Sequence, residues 1–147
     1  MEWSVDPQPT PGEAWLEIIK RPSLEAFSEA FAPYVALEAS VLDQPILCPR
    51  DLRAFFDATR EMYDTIAFTN ETMLGGRTYL EWEGRFQGRY VAGETLLIHD
   101  SAGLIESIRI YHRPYDQVLA FSAELRRRLS ADPSTASILE GACRVVR

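Results

Sequence analysis

Histidine and cysteine are scarce in this chain. Of its 147 residues, two are histidines, His99 and His112, and two are cysteines, Cys48 and Cys143. Two histidines exclude a multi-histidine metal centre, and the cysteines show no C-x-x-C or other metal spacing, so no metal site is expected. A Gly-rich phosphate loop, a Gly-x-Ser-x-Gly elbow and a His-Glu-x-x-His pattern are all missing, and no cofactor is implied. Positive charge is also in short supply. Fifteen Lys and Arg face 22 Asp and Glu, for a formal net charge of -7, which argues against nucleic acid and anionic membrane surfaces as partners. The one basic run, Arg126-Arg127-Arg128, reads as a solvated helix end, because three consecutive helical positions point in different directions. No apolar run approaches membrane-spanning length, and no cationic N-terminus leads into an apolar stretch. The expectation is a cytoplasmic protein with both thiols reduced.

What the chain does have is apolar content, 46% of its residues, and enough length to bury a real core in one domain. Residues 1–12, with Pro7, Pro9, Pro11 and Gly12, read as an irregular arm. Ala14, Trp15, Ile18 and Ile19 sit at helical spacing and predict a helix from Glu13 to Lys20, broken by Arg21-Pro22. A second helix is expected from an N-cap at Ser23, with Ala26, Phe27, Ala30 and Phe31 on its apolar stripe and Pro33 stopping it. Two short strands follow, Val35–Ala39 and Val41–Leu47. Asp51 then opens a third helix to about Tyr63, with Leu52, Phe55, Phe56, Thr59 and Met62 inward. Thr65 to Met73 reads as a strand, and Gly75-Gly76 as the turn after it.

From Tyr79 to Pro114 three runs alternate apolar and polar residues and are joined by short Gly-containing turns, the pattern of an antiparallel meander. Leu80, Trp82, Gly84 and Phe86 share one strand phase; Ile108, Ile110 and His112 share another. A final amphipathic helix carries Val118, Phe121 and Leu125 to about Leu129, with a short surface segment beyond. The domain is thus placed at residues 13–130 and a C-terminal extension at 131–147.

In this order the chain resembles the nuclear transport factor 2-like superfamily, in which SnoaL-like cyclases, limonene epoxide hydrolases and ketosteroid isomerases share a conical fold. The resemblance runs from Ala14 to Pro114. It rests on Phe31-Ala32, Arg53-Ala54-Phe55-Phe56, Phe86-Gln-Gly-Arg and Gly103-Leu-Ile-Glu-Ser-Ile-Arg-Ile-Tyr-His. It implies an α+β fold: a conical, barrel-like curved antiparallel sheet with N-terminal helices capping a pocket, plus a C-terminal helix, often in a homodimer. Activity does not follow from the fold. Residue by residue, the ketosteroid isomerase base falls on Ala39, the oxyanion tyrosine on Trp15, its supporting tyrosine on Phe56 and the protonated aspartate on Thr95. All four positions have lost the acid or hydroxyl that such proton transfer needs. The last aspartate of the epoxide hydrolase set falls on Ile110. Glu81 and Glu83 lie on the strand phase opposite Trp82 and are expected outside the pocket.

What remains for chemistry is His112, the candidate catalytic residue. Its expected apolar surroundings depress its pKa and leave a neutral imidazole. The expected pocket lining is Trp15, Tyr34, Phe56, Leu80, Trp82, Thr95, Ile108, Ile110 and His112, with Tyr63 as a further aromatic. Such a lining suits a small apolar ligand, aromatic or polycyclic. Glu38 is expected on the other sheet face, His99 at an exposed turn, Glu106 at the rim and Asp116 capping the last helix. Arg109, Tyr111 and Arg113 share the outer phase and point to a homodimer through the convex face. Three readings stand: a SnoaL-like small-molecule pocket with any acid or base role on His112; a non-enzymatic binding or assembly module; and a divergent cofactor-free cyclase, isomerase or epoxide hydrolase.

Overall fold

The computed structural model describes residues 11–20 and 25–140. Its elements are α1 (Pro11–Lys20), α2 (Glu25–Glu29), β1 (Phe31–Ala39), α3 (Pro49–Thr59), β2 (Thr65–Leu74), β3 (Arg77–Phe86), β4 (Arg89–His99), β5 (Ile105–Arg113), α4 (Tyr115–Ser130) and α5 (Pro133–Ala136), followed by a 3-10 turn at Ser137–Glu140. The expected N-cap Ser23 and the second cysteine, Cys143, lie outside the described residues.

The strands form one curved sheet in the order β1-β5-β4-β3-β2. This is the expected α+β architecture, a curved sheet with helices, and two details refine it. The sheet is mixed, because β1 pairs with β5 in parallel, with Leu37 opposite Ile108 and Ala39 opposite Ile110. It is also not closed into a barrel. The meander itself, β3 to β5, is antiparallel as read, with Leu80 opposite Thr95 and Thr95 opposite Ile110.

Alternation divides each strand between two environments. On β3, Thr78, Leu80, Trp82 and Phe86 are buried, while Tyr79, Glu81, Glu83 and Arg85 are exposed. On β5, Ile105, Ile108, Ile110 and His112 are buried, whereas Tyr111 and Arg113 face solvent. Two glycines permit close approach behind this face. A Cβ at Gly93 would lie 2.3 Å from Cζ2 of Trp82 and 2.2 Å from the Tyr111 carbonyl oxygen; one at Gly84 would lie 2.0 Å from the Thr65 carbonyl oxygen. Glycine inside a strand often marks such a site of bending or contact.

Two expected elements changed type. Phe31 belongs to β1, not to a helix, and packs on Phe27 at a ring separation of 4.8 Å. Pro33 sits where the β1 register shifts, between Phe31 and Ala36 on an edge strand, a position where a missing backbone N–H disturbs no ladder. Val41–Leu47 is not a strand. It meets the sheet at one bridge, where the backbones of Ile46 and Leu37 exchange hydrogen bonds of 2.8 and 2.9 Å.

The remaining corrections concern the chain after Arg113 and one cysteine. The Arg113–Pro114 peptide is cis. The segment after α4 is more than a surface extension, because Ile138 is only 3% exposed and joins the core with Phe121, Leu125 and Leu129 of α4. The side chain of Gln117 anchors α4 by donating to the carbonyls of Phe86, Arg89 and Tyr90 at 3.1–3.2 Å, which sets Phe121 beneath the sheet. Cys48 is disulfide-bonded, against the expected free thiol.

Candidate functional site

α1 and α3 lean on the concave face and leave a cavity of about 390 Å³ between helices and sheet. Trp15, Leu16 and Ile19 of α1 and Phe55, Phe56 and Thr59 of α3 form one wall; Trp82, Thr95, Ile110 and His112 form the sheet wall; Ile66 and Phe68 of β2 close a side. Trp15 meets Phe56 edge-on at 5.4 Å between centroids, a favoured aromatic geometry.

Six of the nine residues expected to line a pocket do so: Trp15, Phe56, Trp82, Thr95, Ile110 and His112. Three do not. Tyr34 is 61% exposed, because Val35, Leu37 and Ala39 take the inward phase of β1; its hydroxyl reaches outward to Asp100 at 3.3 Å. Leu80 and Ile108 share the concave phase but lie within the packed core, off the cavity wall. Ala39 is buried and is not on the cavity wall either. Glu38 and Glu81 point outward, as their phases required. Asp116 is exposed, accepts from the Gln117 backbone N–H at 3.0 Å and pairs with Arg89.

The residue that sequence reasoning undervalued is Tyr63. Helix α3 ends at Thr59 instead of continuing to Tyr63. The released segment turns back, Met62 N–H bonding Thr59 O at 3.0 Å and Asp64 N–H bonding Arg85 O at 2.8 Å. Tyr63 thereby reaches across the cavity, its hydroxyl oxygen 2.6 Å from Nε2 of His112, with the two rings nearly parallel at 7°. Trp82 and Phe121 hold the imidazole from other sides, at 5.0 and 4.6 Å. The His112 backbone is fixed as well, its N–H donating to Ser40 Oγ at 2.9 Å.

Burial pushes the His112 pKa down to about 3, so the ring is neutral at physiological pH. Burial also raises the Tyr63 phenol well above its ordinary value and keeps it protonated. The pair is therefore uncharged. A second polar contact on the wall is also neutral: the Trp82 Nε1–H donates to Thr95 Oγ1 at 3.1 Å. Among the described residues the one carboxylate on the lining is Asp64, whose side chain accepts from the Gly88 N–H at 2.8 Å. No group of three or more His, Cys, Asp or Glu able to hold a metal ion occurs among the described residues.

Solved structures share this architecture. An uncharacterised bacterial protein with a cystatin-like fold from Silicibacter pomeroyi superposes with a TM-score of 0.78 at 17% identity, over 89% of this chain and 94% of that one. A steroid delta-isomerase from Pseudomonas aeruginosa gives 0.72 at 19% identity, over 80% of this chain and 88% of that one. A proposed isomerase of the SnoaL-like family from Agrobacterium tumefaciens gives 0.52 at 12%, over 70% and 97%. The fold is nuclear transport factor 2-like. No family model matches the sequence, and no protein of curated function matches it. Within the nuclear transport factor 2-like fold, three of the four positions compared with ketosteroid isomerases, Trp15, Phe56 and Thr95, do face the cavity. They carry an indole, a phenyl ring and a threonine hydroxyl that is already an acceptor. No helix among the described residues is long and apolar enough to cross a membrane.

Proposed function

We propose that this chain is a small-molecule-binding protein of the SnoaL-like class, whose ligand is flat, apolar and aromatic or polycyclic. One observation carries the reading: a cavity of about 390 Å³, walled by Trp15, Phe56, Trp82 and Ile110, encloses a neutral Tyr63–His112 pair. Apolar pockets with a few placed polar groups are the usual form of small-molecule sites, and about 300 Å³ is their lower bound. Any acid or base role falls to His112, but as a base it is weak, since its proton affinity is depressed by burial. Its role here is to hydrogen-bond and orient.

Trp15 and Trp82 make the site self-reporting. Titration with naphthalene- to anthracene-sized arenes is expected to change tryptophan emission saturably and raise the melting temperature, with the response reduced in His112→Ala. A flat response across the whole panel rejects ligand binding.

A second reading, a non-enzymatic binding or assembly module, is favoured by the lining carboxylate inventory among the described residues, Asp64 alone, with its side chain already engaged. In this reading the convex face, where Tyr79, Tyr90 and Tyr111 are exposed, forms a homodimer. Sedimentation equilibrium of the wild type against Tyr111→Glu tests it; two monomeric profiles would exclude it.

A further inference from the structure

The Tyr63–His112 hydrogen bond has two possible directions, and the other ring nitrogen decides between them. Nδ1 of His112 is buried and has no hydrogen-bond partner among the described residues. If the Tyr63 hydroxyl donated to Nε2, the neutral ring would carry its proton on Nδ1, leaving a buried N–H unsatisfied. Orphaned buried N–H groups are rare, and unsatisfied acceptors less so. The other tautomer places the proton on Nε2, where a partner stands 2.6 Å away. Nε2–H then donates to the Tyr63 oxygen, and the hydroxyl hydrogen of Tyr63 is left to be donated elsewhere. Thr95 is built alike. Its Oγ1 accepts from the Trp82 indole N–H, so its own hydrogen is the donor it has to offer. Both hydroxyls belong to residues on the cavity wall.

We propose that these two hydroxyls are hydrogen-bond donors to the ligand, primed by the N–H groups of His112 and Trp82, and that the cavity selects flat apolar molecules bearing an acceptor oxygen such as a carbonyl. The proposal rests on the ligand-binding reading and deepens it. The same geometry disfavours other head groups. A carboxylate would need a cation to offset its desolvation, and Arg60, the one cationic lining residue among those described, is held by Asp57 at 2.9 Å and Glu61 at 3.6 Å. An amine would need a carboxylate to offset its desolvation, and Asp64, the one lining carboxylate among the described residues, already accepts from the Gly88 N–H at 2.8 Å. His112 acts here as a positioning residue, through Tyr63.

The test uses two probes of nearly equal shape, acetylnaphthalene and the hydrocarbon isopropylnaphthalene substituted at the same ring position. With both affinities measured on the full chain, Tyr63→Phe is expected to lower the preference for the ketone over the hydrocarbon by about tenfold, the worth of one hydrogen bond. Near-ultraviolet circular dichroism matching that of the wild type certifies the variant's fold. Thr95→Val is expected to lower the same preference less. The carbonyl stretch of the bound ketone should move to lower wavenumber in the wild type and return in Tyr63→Phe. Long-range nitrogen–proton spectra of the ligand-free protein should place the His112 proton on Nε2. If both probes bind but Tyr63→Phe leaves their ratio unchanged, or if the proton is on Nδ1, the donor assignment is overturned while ligand binding stands. If neither probe binds the wild type, both fall.

Discussion

The two faces of the sheet are made from the same five strands and have opposite chemistry. The concave face presents aromatic rings, branched aliphatics and neutral hydrogen-bonding pairs. The convex face carries Glu81, Glu83, Glu94 and Arg113, with Tyr90 bonded to Glu83 at 3.3 Å and Arg113 to Glu94 at 3.4 Å. A side-chain period of two is sufficient to produce this division. The contrast teaches that the polar groups within the concave wall need a separate explanation. On the convex face water satisfies any charge, so the pairs there contribute little. On the concave face each polar group had to be neutral and partnered, and His112, Tyr63, Trp82 and Thr95 meet that condition except at one ring nitrogen.

The sharpest way to break the contrast is to empty the inner layer. Phe121 is fully buried against Tyr63 and His112, at 5.1 and 4.6 Å, and Phe121→Ala is expected to cost about 4 kcal/mol in denaturant unfolding. Gly93→Ala should cost somewhat less, about 3 kcal/mol, because its Cβ meets the Trp82 ring and the Tyr111 carbonyl. It should also lose the ligand-dependent change in tryptophan emission as Trp82 is displaced. A loss below about 1 kcal/mol would mean the inner wall is softer than its close approaches imply.

A smaller effect reads the neutrality of the wall. The His112 pKa is about 3 in the folded chain against 6.5 for an ordinary histidine. Between those values the unfolded state binds the extra proton, so stability is complete above about 6.5 and falls as pH drops toward 3. The slope contributed by this one group is at most about 1.4 kcal/mol per pH unit. Measured between pH 5 and 6.5, above most carboxylate titration, the slope should fall markedly in His112→Leu; an undiminished slope would show that the ring titrates freely. The smallest effect belongs to the convex face. Glu94→Ala removes the partner of Arg113 and is expected to change stability by less than about 0.5 kcal/mol, a change lost within error at high salt.

The strand phases were legible in the sequence because alternation is local. Leu80, Trp82 and Phe86 needed only their own neighbours to be placed inward, and so did Ile108, Ile110 and His112. Phe31 was misread because apolar spacing compatible with a helix ran on into the first residues of an edge strand. Tyr34 was misplaced because the irregular β1 register near Pro33 shows only once β5 is beside it. Tyr63 was among the aromatics considered, yet its hydrogen bond to His112 joins residues 49 positions apart, with β2, β3 and β4 between them in the chain. No periodicity encodes that.

The parallel pairing of β1 with β5 has a consequence for assembly of the molecule. The two strands are separated in the chain by α3 and by all of β2, β3 and β4, so their contact closes the longest loop in the sheet and carries a large entropic cost. His112 lies on the later of the two strands, and its backbone is tied by Ser40 just after the earlier one. The hairpins of the meander can form by local pairing, but the His112 backbone acquires this anchor only with that distant closure. A chain still in the act of folding can therefore show much of its sheet while the wall of its cavity is unfinished.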